Sequence, residues 1–253
     1  MAEGDTILRL ARRFEATLLG EQLTASAPNP RGRAAGIERL SGRVLEEVWA
    51  HGKHLVLGFG EVSLHSHLGM SGGWHFYPPR SRWRRPRSSA WAVLSGGGWD
   101  AVQFGGPTLQ LGSTARMRRD PQLTRLGPDV LAADFDPDAV IAAMGADPTR
   151  GLGDALLDQH LVAGIGNIFK SEACFAARLD PWRPIGDLSD EELRRVLLAA
   201  REQMLDAVEH ANRHRFQIYK RRQSVCPSCR GQVSSRSQGD ANRTTYWCPR
   251  CQS

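Results

Sequence analysis

CPSCRGQVSSRSQGDANRTTYWCPRC, residues 226–251, decides how the rest of the chain is read. Cys226-Pro-Ser-Cys229 and Cys248-Pro-Arg-Cys251 are separated by eighteen residues. Each turn aims two thiolates at a common point, and the two turns close a tetrahedron of sulfur, the coordination of a structural zinc. Two disulfides are the competing reading, and they require an oxidising compartment. The N-terminus argues against export, because Glu3, Asp5, Arg9, Arg12 and Arg13 stand where a signal would need an apolar stretch. A sealed four-thiolate zinc has no open position for chemistry, so its role is structural. A segment of about thirty residues builds no core of its own, and the metal must hold it folded. What it holds is a hairpin whose polar tip, SSRSQGDANRTT, suits a phosphate backbone; Arg243 lies near that tip.

Charge points the same way. The net charge is +6, and from Arg213 to Cys251 nine Lys/Arg face one acid, Asp240. The remaining chain, 24 basic against 26 acidic, is close to neutral. A second cluster, RSRWRRPR at 80–87, holds five arginines in eight residues. Either cluster is a solvated loop or a footprint for phosphate. Cys174, in the apolar context EACFAA, reads as a small buried hydrophobe. No apolar run approaches the ~18 residues of a membrane span, so a soluble, cytoplasmic protein without membrane contact is expected, nucleoid-associated if bacterial.

The fold class read from these patterns is α+β and multidomain, in three zones. Residues 1–20 read as a helix with Ile7, Leu8, Ala11, Phe14, Leu18 and Leu19 on one face, capped by Asp5 or Thr6. Residues 40–112 read as short strands: VLEEVW, HLVLGF, VSLHSHL, AWAVL and WDAVQF, with SGGG as a hairpin turn. Such spacing suggests a sandwich or barrel, and together with the leading helix it bounds a first domain at 1–120. After Pro121 the chain reads as helices: DPDAVIAAM, GDALLDQHL, NIFKSEACFAARL, and a long one from Leu188 with a Ser189/Glu192 capping box. This second domain runs 121–218, and the cysteine-bearing third 219–253. The stretches 26–36 and 78–90 read as irregular.

Within LVAGIGNIFKSE, Gly164-Ile165-Gly166-Asn167 interrupts two helical stretches. Glycines let a backbone approach something closely, and Asn167 opens a helix whose free amides favour an anion. A tight interhelical turn without a ligand explains the same residues.

Six segments in order resemble one family: EGDT at 3–6, HGKH at 51–54, HLGMSG at 67–72, RLGPDVL at 125–131, LVAGIGNIFKSE at 161–172, and NRTTYWCPRCQ at 242–252. The chain is similar along its whole length to the formamidopyrimidine-DNA glycosylase/endonuclease VIII DNA glycosylases. The resemblance implies an N-terminal β-sandwich with a leading helix, a helix–two-turn–helix domain and a C-terminal zinc finger, with DNA in the cleft between. It implies a monomer acting on damaged DNA, duplex or single-stranded. It also implies base excision followed by nicking of an abasic site, through the α-amine exposed when Met1 is removed. The damaged base is flipped out because the reacting sugar carbon is hidden in the stack. By the same resemblance Glu3 moves protons at the opening sugar, and Lys53 holds a phosphate and assists the sugar chemistry. His67 and Met70 line the cleft, the methionine filling the gap left by the flipped base; Asn167 and Arg243 grip flanking phosphates.

An α-amine suits the nucleophile's task. Its reference pKa of about 7.7–8.0 leaves a usable neutral fraction, against about 10.4 for lysine. The start of the following helix disfavours the ammonium further. Position 2 is Ala2, however, where the family ordinarily has proline. A primary amine forms an imine that must be protonated to act as an electron sink, so a slower lyase step is expected. A segment like the Arg-Arg-Phe wedge of the formamidopyrimidine branch is missing from VQFGGPTLQLG. This favours the endonuclease VIII side and oxidised pyrimidines. His65 and His67 form an H-x-H pair that strand alternation would make a metal set only with a third ligand nearby. Two other readings compete. A lesion-binding protein that has lost turnover has no use for Glu3 and Lys53. A zinc-ribbon transcription factor leaves EGDT and HGKH without purpose.

Overall fold

The computed structural model of the chain describes residues 2–210, 216–239 and 242–252. They fall into two units, Met1–Arg125 and Leu126–Ser253. Among the described residues no helix is long and apolar enough to cross a membrane.

The first unit opens with α1 (Gly4–Leu18), β1 (Thr24–Ser26) and α2 (Pro30–Ala34). Six strands follow: β2 (Glu47–His51), β3 (His54–Phe59), β4 (Val62–His67), β5 (Gly73–Tyr77), β6 (Ala92–Gly96) and β7 (Trp99–Phe104). β8 (Thr108–Ser113) and the short α3 (Thr114–Met117) and α4 (Pro121–Thr124) complete it. Two antiparallel four-stranded sheets, ordered β1-β6-β7-β5 and β2-β3-β4-β8, make the sandwich. Alternation explains the packing. Leu55, Leu57, Phe59 and Leu64 of one sheet share a core with Trp74, Ala92, Leu94 and Ala101 of the other. α1 adds Ile7, Ala11, Phe14 and Leu18 to that core. The Phe14 ring stands edge-on to Trp74 and Phe76, at 5.1 and 4.9 Å.

SGGG is a hairpin turn, as the sequence reads. Gly96 pairs with Trp99, and Gly97 and Gly98 both take positive φ, 52° and 75°, which a two-residue type I′ turn requires. A Cβ at Gly97 would also lie 2.4 Å from the Thr17 carbonyl oxygen. Three expectations need correction. α1 starts earlier than a cap at Asp5 or Thr6 implies: Glu3 is the N-cap residue and Asp5 lies in the first turn, paired with Arg9 at 3.5 Å. Leu19 is outside the helix and 43% exposed. The 26–36 stretch is not wholly irregular, because the Asn29 side chain accepts from the Arg31 amide and Pro30 opens α2.

The second unit holds α5 (Pro137–Met144), α6 (Leu152–Leu157), α7 (Asn167–Ala177) and α8 (Asp190–Glu209), then the hairpin β9 (Ser234–Gln238) and β10 (Arg243–Trp247). α6 stops at Leu157, short of the helix read to Leu161. Asp158 turns extended, accepts from the His160 amide, and pairs with Arg150 at 2.7 Å. α8 has the Ser189/Glu192 capping box. α7 is buried almost all round. From it, Cys174 is fully buried, and burial pushes its thiol up to about 12. From it too, the Glu172 carboxylate accepts from the amides of Gln217, Ile218 and Tyr219 at 2.8, 2.8 and 2.7 Å. Gln252 ties the cysteine module to the helices, accepting from Cys248 N and donating to the Leu179 carbonyl.

Candidate active site

The first unit brings three separated motifs together. α1 begins at Gly4, and just ahead of it the Ala2 nitrogen lies 3.3 Å from the Gly69 carbonyl oxygen. Glu3 follows, 1% exposed, its carbonyl accepting from the amides of Thr6 and Ile7. Ala2 itself packs against the sandwich core. The N-terminal segment is therefore a fixed part of the fold. Gly69 takes φ 58° in the loop after β4, and a Cβ there would meet Pro107 Cδ at 2.8 Å. Next to it Met70 is 67% exposed.

The neighbouring loop, between β7 and β8, is only Gly105-Gly106-Pro107. It fits closely under the Met70 loop, since a Cβ on Gly106 would lie 2.9 Å from the His67 carbonyl oxygen. Its one side chain beyond the backbone is the Pro107 ring, and it has no Arg-Arg-Phe segment.

The third motif is HGKH. His51 pairs with His54, so Gly52-Lys53 is a two-residue hairpin turn, and Gly52 supplies the positive φ, 56°. Lys53 sits at its tip. His54 pairs with His67 across β3 and β4, and their rings are 4.7 Å apart. Burial, and then the Lys53 ammonium, hold the His67 imidazole below its usual pKa. Lys53 and His67 are thus electrostatic neighbours.

Behind them lies a contact that the sequence reading did not single out. His54 Nδ1 and His65 Nε2 are 2.8 Å apart, with stacked rings. His65 is fully buried, and its Nδ1 has no hydrogen-bond partner. Burial lowers both imidazoles, His54 to about 3 and His65 to about 4, so both are neutral near pH 7. The third residue that the H-x-H pair lacked in sequence is His54. Among the described residues, though, only the four cysteines form a group able to hold a metal. The register His54↔His67 was the missing signal, and no single strand reveals it.

A pocket of about 410 Å³ lies against the outer face of the β2–β3–β4–β8 sheet, lined by Trp49, Val56, Ser63, Met117 and Leu123 among others. None of the N-terminal, Gly69 or Met70 residues lines it, and we assign it no part in the chemistry.

The second unit assembles its own pair. Asn167 is the first residue of α7, 5% exposed, and donates from Nδ2 to the Thr244 carbonyl at 2.8 Å. Thr244 adjoins Arg243, the first residue of β10, so Asn167 and Arg243 are neighbours. Gly164 ahead of α7 takes φ 101°.

The four cysteine sulfurs lie within 4.8 Å of one another. Cys226–Cys251 and Cys229–Cys248 are 3.8 and 3.5 Å apart. A disulfide would need about 2.05 Å. A tetrahedral zinc at about 2.3 Å from each sulfur would space them by about 3.8 Å. The donor set can hold a metal, and its geometry suits zinc.

Comparison with known proteins agrees with these motifs. The formamidopyrimidine-DNA glycosylase N-terminal domain matches residues 1–100, and the H2TH domain of the same glycosylase matches residues 126–217. A probable endonuclease 8 2 of Streptomyces coelicolor is 38% identical over all of this chain and 94% of its own. A DNA-(apurinic or apyrimidinic site) lyase of Mycolicibacterium smegmatis is 33% identical, covering 100% of this chain and 99% of its own. A formamidopyrimidine-DNA glycosylase of Thermus thermophilus is 33% identical over 95% of this chain and 94% of its own. In fold, the chain is similar to a Lactococcus lactis formamidopyrimidine-DNA glycosylase bound to DNA containing an abasic site, with TM-score 0.85, 22% identity, and 99% of both chains covered.

Proposed function

The chain belongs to the formamidopyrimidine-DNA glycosylase/endonuclease VIII family, and from that premise we propose a base-excision DNA glycosylase with an associated abasic-site lyase step. It removes oxidised bases, pyrimidines foremost, and acts as a monomer on duplex or single-stranded DNA. The single observation that carries the reading is the Ala2 nitrogen beside Gly69, next to the buried Glu3 and in the same unit as the Lys53–His67 pair.

Once Met1 is removed, the Ala2 nitrogen is a primary amine. One N–H donated to the Gly69 carbonyl fixes the nitrogen's orientation, so its lone pair points elsewhere. The amine attacks the anomeric carbon of the flipped nucleotide, the base departs, and the sugar ring opens to an imine. Loss of the neighbouring C–H proton then expels the 3′ phosphate. Glu3 carries protons at the sugar, Lys53 holds a phosphate and assists the sugar chemistry, and His67 lines the cleft. Met70 enters the space the base vacates. Asn167 and Arg243 supply the second unit's grip on the backbone, Asn167 through the free amides that open α7. The residues can be divided as 1–120, 121–218 and 219–253, sandwich, helical domain and finger. Cys226, Cys229, Cys248 and Cys251 hold one structural zinc, which supplies a fold rather than a reaction.

Borohydride trapping on abasic duplex DNA tests this, using protein sequenced to begin at Ala2. A covalent adduct is expected, formed more slowly than by the Ala2→Pro variant. No adduct from either would remove the catalytic reading and leave a lesion-binding protein.

A further inference from the structure

RSRWRRPR at 80–87 falls outside the residues used so far, yet the structure gives it a definite form. Trp83 is 8% exposed and lies on the outer face of the β1–β6–β7–β5 sheet with Tyr77, Val93, Val102 and Phe104. Its ring stacks on Tyr77 at 5.9 Å. The Tyr77 hydroxyl accepts from the Arg84 amide at 3.2 Å, and Asn29 donates to the Ser88 carbonyl. The tryptophan is an anchor, and the five arginines around it, Arg80, Arg82, Arg84, Arg85 and Arg87, are all exposed. Two lie on rings: the Arg87 guanidinium is 4.2 Å from the Trp83 centroid, and that of Arg85 is 5.7 Å from the Phe104 centroid. A stacked guanidinium keeps its N–H edge free for a planar acceptor.

The charge is uncompensated. From Val62 to Trp99 the sequence has five arginines and no aspartate or glutamate. Among the described residues, none of the five takes part in an ion pair. Position adds direction. Phe104, under Arg85, pairs with Gly73, which directly follows the loop carrying Gly69 and Met70. Arg84 and Arg85 are close enough to His75 to lower its pKa, after the larger effect of burial.

We propose that the arginine loop is a second DNA-contact element, taking phosphate oxygens of the duplex backbone beside the Met70 loop. This deepens the glycosylase reading and rests on it. Phosphate oxygens are the acceptors that exposed, planar guanidinium forks match. A lipid surface fits less well. Binding there needs apolar side chains to insert, and the large hydrophobics exposed elsewhere include none from 78–90.

The test uses the triple variant Arg80→Gln/Arg82→Gln/Arg84→Gln, which spares the two stacked arginines, and its charge-keeping partner with lysine at the same three positions. Affinity for a duplex carrying a tetrahydrofuran abasic analogue is measured against salt, and nicking of abasic duplex is measured at saturating protein. The glutamine triple should bind at least about tenfold more weakly at low salt. Its slope of log affinity against log salt should shrink by about 0.9 for each phosphate that the loop no longer neutralises. Its saturated nicking rate should stay within about twofold of the parent, because no reacting group has moved. The lysine triple should keep the parent's slope. An unchanged slope in the glutamine triple overturns the proposal. So does a lysine triple as weak as the glutamine one, or a loss confined to binding of phosphatidylglycerol vesicles. If the parent fails to nick while the slopes still differ, the catalytic reading falls and this DNA-binding role stands.

Discussion

Gly69 has no side chain, and the geometry around the N-terminus depends on it. Its carbonyl holds the Ala2 nitrogen, its φ is positive, and Pro107 fills the space a Cβ would take. Gly69→Ala is expected to cost about 1–2 kcal/mol of stability. It should cost far more in chemistry, about tenfold or more in trapping rate, since a misplacement of about 1 Å can cost ~10²-fold. Denaturant melts and trapping kinetics on one preparation separate the two effects. The His54–His65 contact makes a second prediction. Both imidazoles titrate lower in the folded chain than the ordinary 6.5, at about 3 and about 4. The unfolded chain therefore takes up protons first as pH falls. Stability is full above pH ~6.5 and declines until pH has fallen through the lower folded value, about 3. The urea midpoint should fall across that window, and His65→Leu should flatten the fall. At this scale the residues that the proposed chemistry uses stand out in the sequence, because EGDT, HGKH and HLGMSG are contiguous strings. The imidazole behind them was not, because it comes from a cross-strand register.

Elements were legible where periodicity was strong. α1 shows its apolar face in the sequence, and Phe14 proves to be its centre, fully buried between Trp74 and Phe76. Phe14→Ala should cost about 3–5 kcal/mol in a chemical melt. Ser189→Ala, which removes one half of the α8 capping box, should cost only about 1 kcal/mol. β5 and β8 escaped individual reading for different reasons. β5 opens on the second of two glycines and is otherwise aromatic. β8 is half-exposed on both faces, so it lacks a clean alternation. α2 is a single turn made by a cap and a proline inside a stretch rich in turn formers. α6 shows the reverse error, because helical spacing continued past the point where Asp158 found better partners.

For the whole molecule, two units mean two partly separate stabilities. A chelator should strip metal from the four cysteines, lower the melting transition of residues 126–253, and abolish tight DNA binding. Amide exchange in the sandwich core should stay as slow as before, which exchange mapped by mass spectrometry would read. The overall architecture was legible because the cysteine spacing fixes one end and the helix leading into the sandwich fixes the other. The tie between the finger and the helices of the second unit depends on buried polar joints such as Gln252, which no motif announces. Glu172 is another joint, with a further consequence. By clasping three successive amides at 217–219 from within α7, it fixes where the chain must arrive, whatever route it takes after α8. Loss of that carboxylate, as in Glu172→Ala, should therefore leave three amides without their shared acceptor and loosen the start of the finger while the sandwich keeps its exchange protection.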